Sequence, residues 1–359
     1  MKTLFVGDPH LRERELSTTK GLVETSSQIL DGIIKVLLDD KEICNVCFLG
    51  DMQHDTPKSR RTLRETTIWK SKLAKIGNII SERKPKMIVI ERDGVEEDVS
   101  GRKQPVFSAL GNHDVENKMT ALTNNSHYTF FDDLLFTGII QNPKGFIFKD
   151  GGQVYYIQFN NYGEADSPID ESVLELDASI KKIKVLHDTV KVPNSPDWFK
   201  LLKEGEYYEG EKILGDCDLA ICGHIHTPLP PVVVKGDGTL GSGETIFVQT
   251  GSMGRTSMSD DNMRDYGYCT VLDTTHGISV EELRIPLMSI DDYFNWKQIR
   301  LNQNKKEAMK RGEMFNLDFG SVEITHTNPR DEINALDIED EVKENCLNAI
   351  NDADVSDNQ

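Results

Sequence analysis

Apolar residues in this chain fall in short runs, and most runs stop at a glycine followed by a polar side chain. TLFVG (3–7), NVCFLG (45–50) and PVFSALG (105–111) are too short for buried helices and are bounded by turn residues, which predicts strands. Between them the apolar spacing changes to a helical one. Leu22, Ile29, Ile33, Val36 and Leu37 lie broadly on one side of a helix predicted over 21–40. A second helix is expected over 58–82, with lysines and arginines on its polar side, and 115–139 reads as mostly helical. Then the pattern becomes strand-rich. KGFIFKDGGQVYYIQFNNYG (144–163) predicts a β-hairpin turning at Gly-Gly. IKVLHD, DLAICGHIH, ETIFVQTGS and YGYCTVLDTTHGISVEEL supply further strands. A chain that opens with βαβ units and closes with hairpins is expected to form a layered α/β sandwich of mixed sheets.

Two stretches break this pattern. RKPKMIVIERDGVEEDVSGRKQ (83–104) interrupts the core alternation and reads as an inserted hairpin or flap. After residue 288 the composition turns polar and helical, so a main domain over 1–288 and a C-terminal helical extension over 289–359 are expected. Within the extension, 328–350 reads as a capped acidic helix with Ile333, Leu336, Val342, Cys346 and Ile350 along one stripe. The last nine residues, NDADVSDNQ, read as disordered.

The composition narrows the picture. The 359 residues include 41 Lys+Arg and 60 Asp+Glu, giving a net charge of −19. That charge argues against binding polyanions with the whole surface and leaves a local basic patch as the route to a nucleic acid. Lys58, Arg60, Arg61, Arg64, Lys70, Lys72, Lys75, Arg83, Lys84 and Lys86 form such a local basic region, more simply read as a solvated helix face. No apolar run approaches the roughly 20 residues of a membrane span. The start, MKTLFVGDPH, turns polar too soon for a signal peptide, so a cytoplasmic protein is expected. Cys44 and Cys47 form a C-x-x-C inside an apolar strand, where they point to opposite faces, so they read as structural thiols.

The chemistry gathers at the strand ends. Asp8 and His10 follow the first strand in GDPH, and Asp51 follows the second in GDMQH. Asn112, His113 and Asp114 follow the third in GNHD. His187 ends VLHD, and His224 and His226 end GHIH, where their one-residue spacing puts both on one strand face. In open α/β sheets ligands collect at the carboxyl ends of strands. One such Asp or His alone is most simply a cap or a surface residue; the set together is not. Asp, His and Asn without a thiolate suit Mn²⁺, Fe or Zn²⁺ in a two-metal site, with Asp51 the natural bridge between the ions. His127, His276 and His326 read as ordinary polar residues, whereas His54, three residues past Asp51, is left between a surface role and one facing substrate.

GDPH, GDMQH, GNHD, the histidine of VLHD, and GHIH, in this order over roughly 1–275, resemble the calcineurin-like metallophosphoesterases. The resemblance implies a four-layer αββα sandwich. It implies that Asp8, His10, Asp51 and His226 hold one divalent ion, and that Asp51, Asn112, His187 and His224 hold the other. His113 would stabilise the transition state or protonate the leaving oxygen, and Asp114 would orient His113. The expected ions are two Mn²⁺, with Mg²⁺, Fe or Zn²⁺ as alternatives. Ser/Thr phosphatases of the superfamily carry GDxVDRG and GNHE with clamping arginines; GDMQHDTPK and GNHDVENK have none, which favours a phosphodiester. GDMQH, GNHD and the later VQTGSMGRTS are similar to the SbcD-type DNA double-strand-break nucleases, although Gln53 replaces their usual aromatic and 83–104 lengthens the gap between motifs. This branch implies a DNA substrate, exonuclease or endonuclease activity in repair and recombination, and an SbcC-type coiled-coil ATPase gripped through helices such as 328–350. A homodimer is a further assembly it leaves open. The alternatives are a phosphatase or small-substrate phosphodiesterase, or a weakly active assembly subunit.

Overall fold

The computed structural model describes residues 1–12, 16–54, 63–83, 87–90, 96–98, 106–116, 119–120, 134–174, 179–255 and 263–310. By its contacts the chain divides into a unit of Met1–Trp296 and a second of Lys297–Gln359. In the second, the described part is helical, within Trp296–Lys310. The segment 328–350, expected as an acidic helix, lies outside the described residues.

The first unit is built on two large sheets. One has six strands in the order β18 (Ser279–Pro286), β17 (Tyr266–Asp273), β1 (Lys2–Val6), β2 (Ile43–Phe48), β5 (Val106–Ser108), β8 (Ile140–Gln141). Here β1, β2 and β5 run parallel, and β17 is antiparallel to β1. The other has eight strands: β15 (Leu229–Lys235), β16 (Glu244–Gln249), β14 (Leu219–Cys222), β11 (Lys181–Leu186), β10 (Gln153–Asn160), β9 (Gly145–Asp150), β3 (Met87–Ile90), β4 (Glu96–Asp98). Its centre, β10, β11, β14 and β16, is parallel. Two short pairs stand outside these sheets: β6 (Val115–Glu116) with β7 (Met119–Thr120), and β12 (Val190–Lys191) with β13 (Tyr208–Glu209).

The burial pattern explains the layering. In β1, Leu4 and Val6 pack with Ile29, Ile33 and Leu37 of helix α1 (Leu22–Asp39) and Trp69, Leu73 and Ile76 of helix α2 (Leu63–Ser81). Phe5, between them, points the other way and packs with Phe146, Tyr155, Phe159 and Ile183 of the second sheet. The outer face of that sheet, including Leu186, Ala220 and Phe247, is covered by Ile169, Val173 and Ile213, the last two on short helices. The order helix, sheet, sheet, helix is the expected αββα sandwich. Strands buried on both faces read as continuous apolar runs, as β1 and β2 do. Helix α1 has no side-chain cap at Gly21, so its stability comes from the packed stripe, where each fully buried Leu or Ile contributes about 1.5–3 kcal/mol.

Three elements refine the expectation. Of the two readings of 83–104, the described residues form the hairpin: β3 pairs antiparallel with β4, and β3 pairs with β9, so the insertion extends the second sheet. The helix expected over 115–139 does not begin there, because β6 pairs with β7 as a small hairpin. β15 (LPPVVVK) is a strand the sequence pattern does not announce: it forms at the sheet edge, with a register shift between Leu229 and Val232 that absorbs Pro230 and Pro231.

Candidate metal centre

Five strand ends converge. Asp8 and His10 follow β1, Asp51 follows β2, and Asn112 to Asp114 follow β5, its neighbour. His187 follows β11, and His224 and His226 follow β14, its parallel neighbour in the facing sheet. Backbone bonds tie the turns together: His10 N–H donates to Asp51 O at 2.9 Å, Leu11 N–H to Met52 O at 2.9 Å, and Gly254 N–H to Asp8 O at 3.1 Å.

The turns are held in uncommon conformations. His10, Asp51 and His224 have positive φ, 46°, 48° and 72°, the left-handed region that costs an ordinary L-residue of order 1–3 kcal/mol. Gly50, at φ 114°, supplies the turn that precedes Asp51. Gly111 lets the chain pass against Asp51: a Cβ there would lie 2.0 Å from Asp51 Oδ1. Asp51 Oδ1 also accepts the His113 N–H at 2.9 Å, so this carboxylate is fixed from two sides.

The ligand atoms of Asp8, His10 and His226 all lie within 4.8 Å of one another, and so do those of Asp51, His187 and His224. Asp51 Oδ2 stands 3.7 Å from His10 Nε2 and 3.4 Å from His187 Nε2, between the two groups. Asn112 Oδ1 is 2.9 Å from His224 Nδ1 and 3.2 Å from His187 Nε2. All seven residues expected as ligands are therefore brought together, and His10 belongs also to a third group, with His54 and His113.

The donor atoms fit cations. Asp8 is fully buried and its Oδ1 has no hydrogen-bond partner, while Oδ2 accepts the His224 N–H at 2.7 Å. Leu49 O, 2.7 Å from His187 Nδ1, can only accept, so that nitrogen carries hydrogen and Nε2 is the atom aimed at Asp51 and Asn112, where a proton or a cation can bind. His10 Nε2 and His226 Nε2 meet at 3.0 Å, a contact that a shared proton or cation must relieve. The ionisation follows the same logic. Burial pushes Asp8 up to about 7, against the pull of His187. For Asp51, burial is outweighed by His187 and His10, which hold it well below the usual carboxylate range. Burial would push His187 down, but Asp51, Asp8 and the Leu49 carbonyl raise it to about 10. Burial pushes His10 well below its usual value and His224 to about 3. Two carboxylates that want positive charge, beside two histidines that refuse protons, make a set for metal ions.

Two residues depart from their expected surroundings. Asp114 Oδ2 accepts from Gly111 N–H at 3.0 Å and Met52 N–H at 3.4 Å, while its Oδ1 and His113 Nδ1 are buried without partners. Asp114 thus braces the turns and makes no hydrogen bond to His113. His54, left open by the sequence, lies inside the cluster. Its Nδ1 is 3.3 Å from His10 Nδ1 and its ring stacks on His113 at 4.9 Å. Its position follows from the backbone: His54 N–H donates to Leu11 O, a bridge no spacing rule announces. Burial, with Arg12 next, lowers His54 to about 3. Of the basic residues described, Lys72 is tied to Ser27 and Asp31, and Arg83 to the carbonyls of Leu37, Asp40 and Ile43, so both fasten α2 to its surroundings.

Residues 1–228 match the calcineurin-like phosphoesterase family. The chain belongs to that family. It is therefore a metal-dependent phosphoesterase, of a family that binds two divalent ions. Among solved structures similar to this member is a 5′-nucleotidase precursor from Thermus thermophilus, with TM-score 0.38, 13% identity, and 86% of this chain and 59% of that one covered. A second is a hypothetical protein from the same organism, with TM-score 0.35, 12% identity, and 80% and 100% covered. The chain spans about three fifths of the length of the first. No curated protein matches it. Among the described residues, no helix is long and apolar enough to cross a membrane.

Proposed function

We propose that this phosphoesterase is a phosphodiesterase acting on DNA, an SbcD-type exonuclease or endonuclease subunit of a repair or recombination complex. The carrying observation is the pair of ligand groups either side of Asp51, joined to a sequence without the clamping arginines a phosphate monoester needs. Asp8, His10, Asp51 and His226 would hold one ion, and Asp51, Asn112, His187 and His224 the other, with Mn²⁺ the proposed metal. When bound, such ions polarise a phosphate oxygen and lower the pKa of water.

The chain's own residues do the rest. The His113 N–H to Asp51 Oδ1 bond fixes His113 against the bridging carboxylate. Its ring, held by stacking on His54, would give a proton to the departing sugar oxygen. Leu49 O sets the tautomer of His187, and Asp114 keeps the turns after β2 and β5 in register. The segment 328–350 is the proposed dock for an SbcC-type coiled-coil ATPase. The test offers the Mn²⁺-loaded protein end-labelled linear duplex, p-nitrophenyl phosphate and 2′,3′-cyclic nucleotides. Shortening of the DNA at a rate above both small substrates is expected; hydrolysis of the small substrates with intact DNA would refute the nuclease reading.

A further inference from the structure

A cavity of about 400 Å³ opens beside the two ligand groups. It is lined by His224, His226, Trp198 and Leu202, and Thr189 and Thr227 add hydroxyl groups. Its volume is within the range of small-ligand sites. The indole is its unusual feature. Trp198 sits on a 3₁₀ helix, Asp197–Leu201, that begins after Pro196 and is anchored by buried Phe199. The Trp198 ring stacks on Phe199 with centroids 4.3 Å apart and planes 24° from parallel, which fixes its orientation. It is nevertheless 40% exposed, whereas Trp69 is 1% exposed. A rigid, water-facing aromatic surface next to a phosphoester site is a platform for a flat ring.

We propose that this cavity is a nucleobase subsite in which Trp198 stacks on the base of the nucleotide whose phosphoester lies at the His224 and His226 edge. The proposal rests on the reading of the substrate as nucleic acid and names how that substrate is gripped. A phosphodiester of DNA carries its base one sugar away from phosphorus, so a phosphate at the ligand groups brings the base to the adjoining cavity. Every base offers a π-face, so such a platform grips DNA without reading sequence. The threonine hydroxyls can pair with base or sugar edges. Binding by one stacked base also suits a chain whose net charge of −19 gives little general attraction for phosphates.

The test measures binding of fluorescein-labelled oligothymidylate by anisotropy, using Mn²⁺-saturated full-length protein in a His113→Ala background so that the probe survives. Trp198→Leu should weaken binding roughly 5- to 150-fold, the range of one base–aromatic stack, and Trp198→Phe should restore it to within a few-fold. The protein with Trp198 intact should bind an oligonucleotide abasic throughout about as weakly as Trp198→Leu binds oligothymidylate. Unchanged binding by Trp198→Leu, a Trp198→Phe variant as weak as the Leu variant, or equal binding of abasic and intact probes would each overturn the subsite. Competition by thymidine 5′-monophosphate at the affinity of the oligonucleotide would support the subsite and point to a free nucleotide as its source. Cleavage of the probe by protein with His113 intact is scored separately. Base-dependent binding without cleavage removes the nuclease reading alone, and cleavage with base-independent binding removes the subsite alone.

Discussion

Gly111→Ala is the sharpest perturbation of this site, because it adds one methyl group where there is no room. Its Cβ would lie 2.0 Å from Asp51 Oδ1, 2.4 Å from Asp51 N and 2.7 Å from Asp51 Cγ, against the 3.0 Å that real Cβ contacts respect. The carboxylate or the turn carrying it must move by about 1 Å. Rotation of the side chain alone does not suffice, since the backbone nitrogen is also too close. Overpacking of this kind costs roughly 1–3 kcal/mol of stability. A shift of about 1 Å at a catalytic group costs on the order of 10² in rate, and loss of support around a metal ligand roughly 10- to 100-fold in metal affinity. Calorimetric titration with Mn²⁺ and hydrolysis of bis(p-nitrophenyl) phosphate read both effects. Gly32→Ala in α1 is the control: its Cβ would meet only the side chain of Ile285, at 2.3 Å, far along the chain from any ligand turn. It should keep both ions and a rate within a few-fold of the unaltered protein. Two tightly bound ions and an unaltered rate in Gly111→Ala would refute the placement of Asp51 between them.

Further outcomes follow from the same geometry. His113→Ala should retain metal but lose on the order of 10²–10⁴ in rate; a fall in metal content measured by elemental analysis would make His113 a ligand instead. Removing metal with EDTA should lower the melting temperature, because a ligand present at 100 times its Kd stabilises by about 2.7 kcal/mol; melting curves that coincide with and without metal would argue against binding to the folded form. In the metal-free protein, His54 stays neutral down to about pH 3, whereas unfolded it binds a proton below about pH 6.5. The unfolded state therefore holds more protons between these values, and stability from this residue rises with pH through that window and is lost as pH falls. The denaturation midpoint relative to His54→Gln should accordingly improve between about pH 4 and 6.5 and stay level above; a difference independent of pH would show that His54 takes up its proton equally well in the folded and the unfolded chain.

Much of this was legible in the sequence because strand ends are marked twice, by the end of an apolar run and by a glycine. β1, β2, β5 and β14 were readable on both signs and β11 on its apolar run alone, and with them the seven converging ligand candidates. Elements set by their neighbours were less readable. Val115–Glu116 has helical spacing nearby but pairs with Met119–Thr120. β15 carries two prolines that only an edge strand with a register shift can hold. Asp114 was expected to face His113, but two unsatisfied backbone N–H groups, Gly111 and Met52, compete for the same carboxylate and take it. His54 owes its place to a single bridge between loops, and the positive φ of His10, Asp51 and His224 has no composition signal, since left-handed positions are ordinarily glycine.

Those three left-handed residues make this scaffold easier to keep than to use. Glycine at His10, Asp51 or His224 would relax the backbone while deleting a donor atom. Chains drifting without selection for hydrolysis thus have a downhill exit: they can become sturdier as they fall silent. A homologue with glycine at these places should be read as a well-folded, inactive descendant rather than a damaged one.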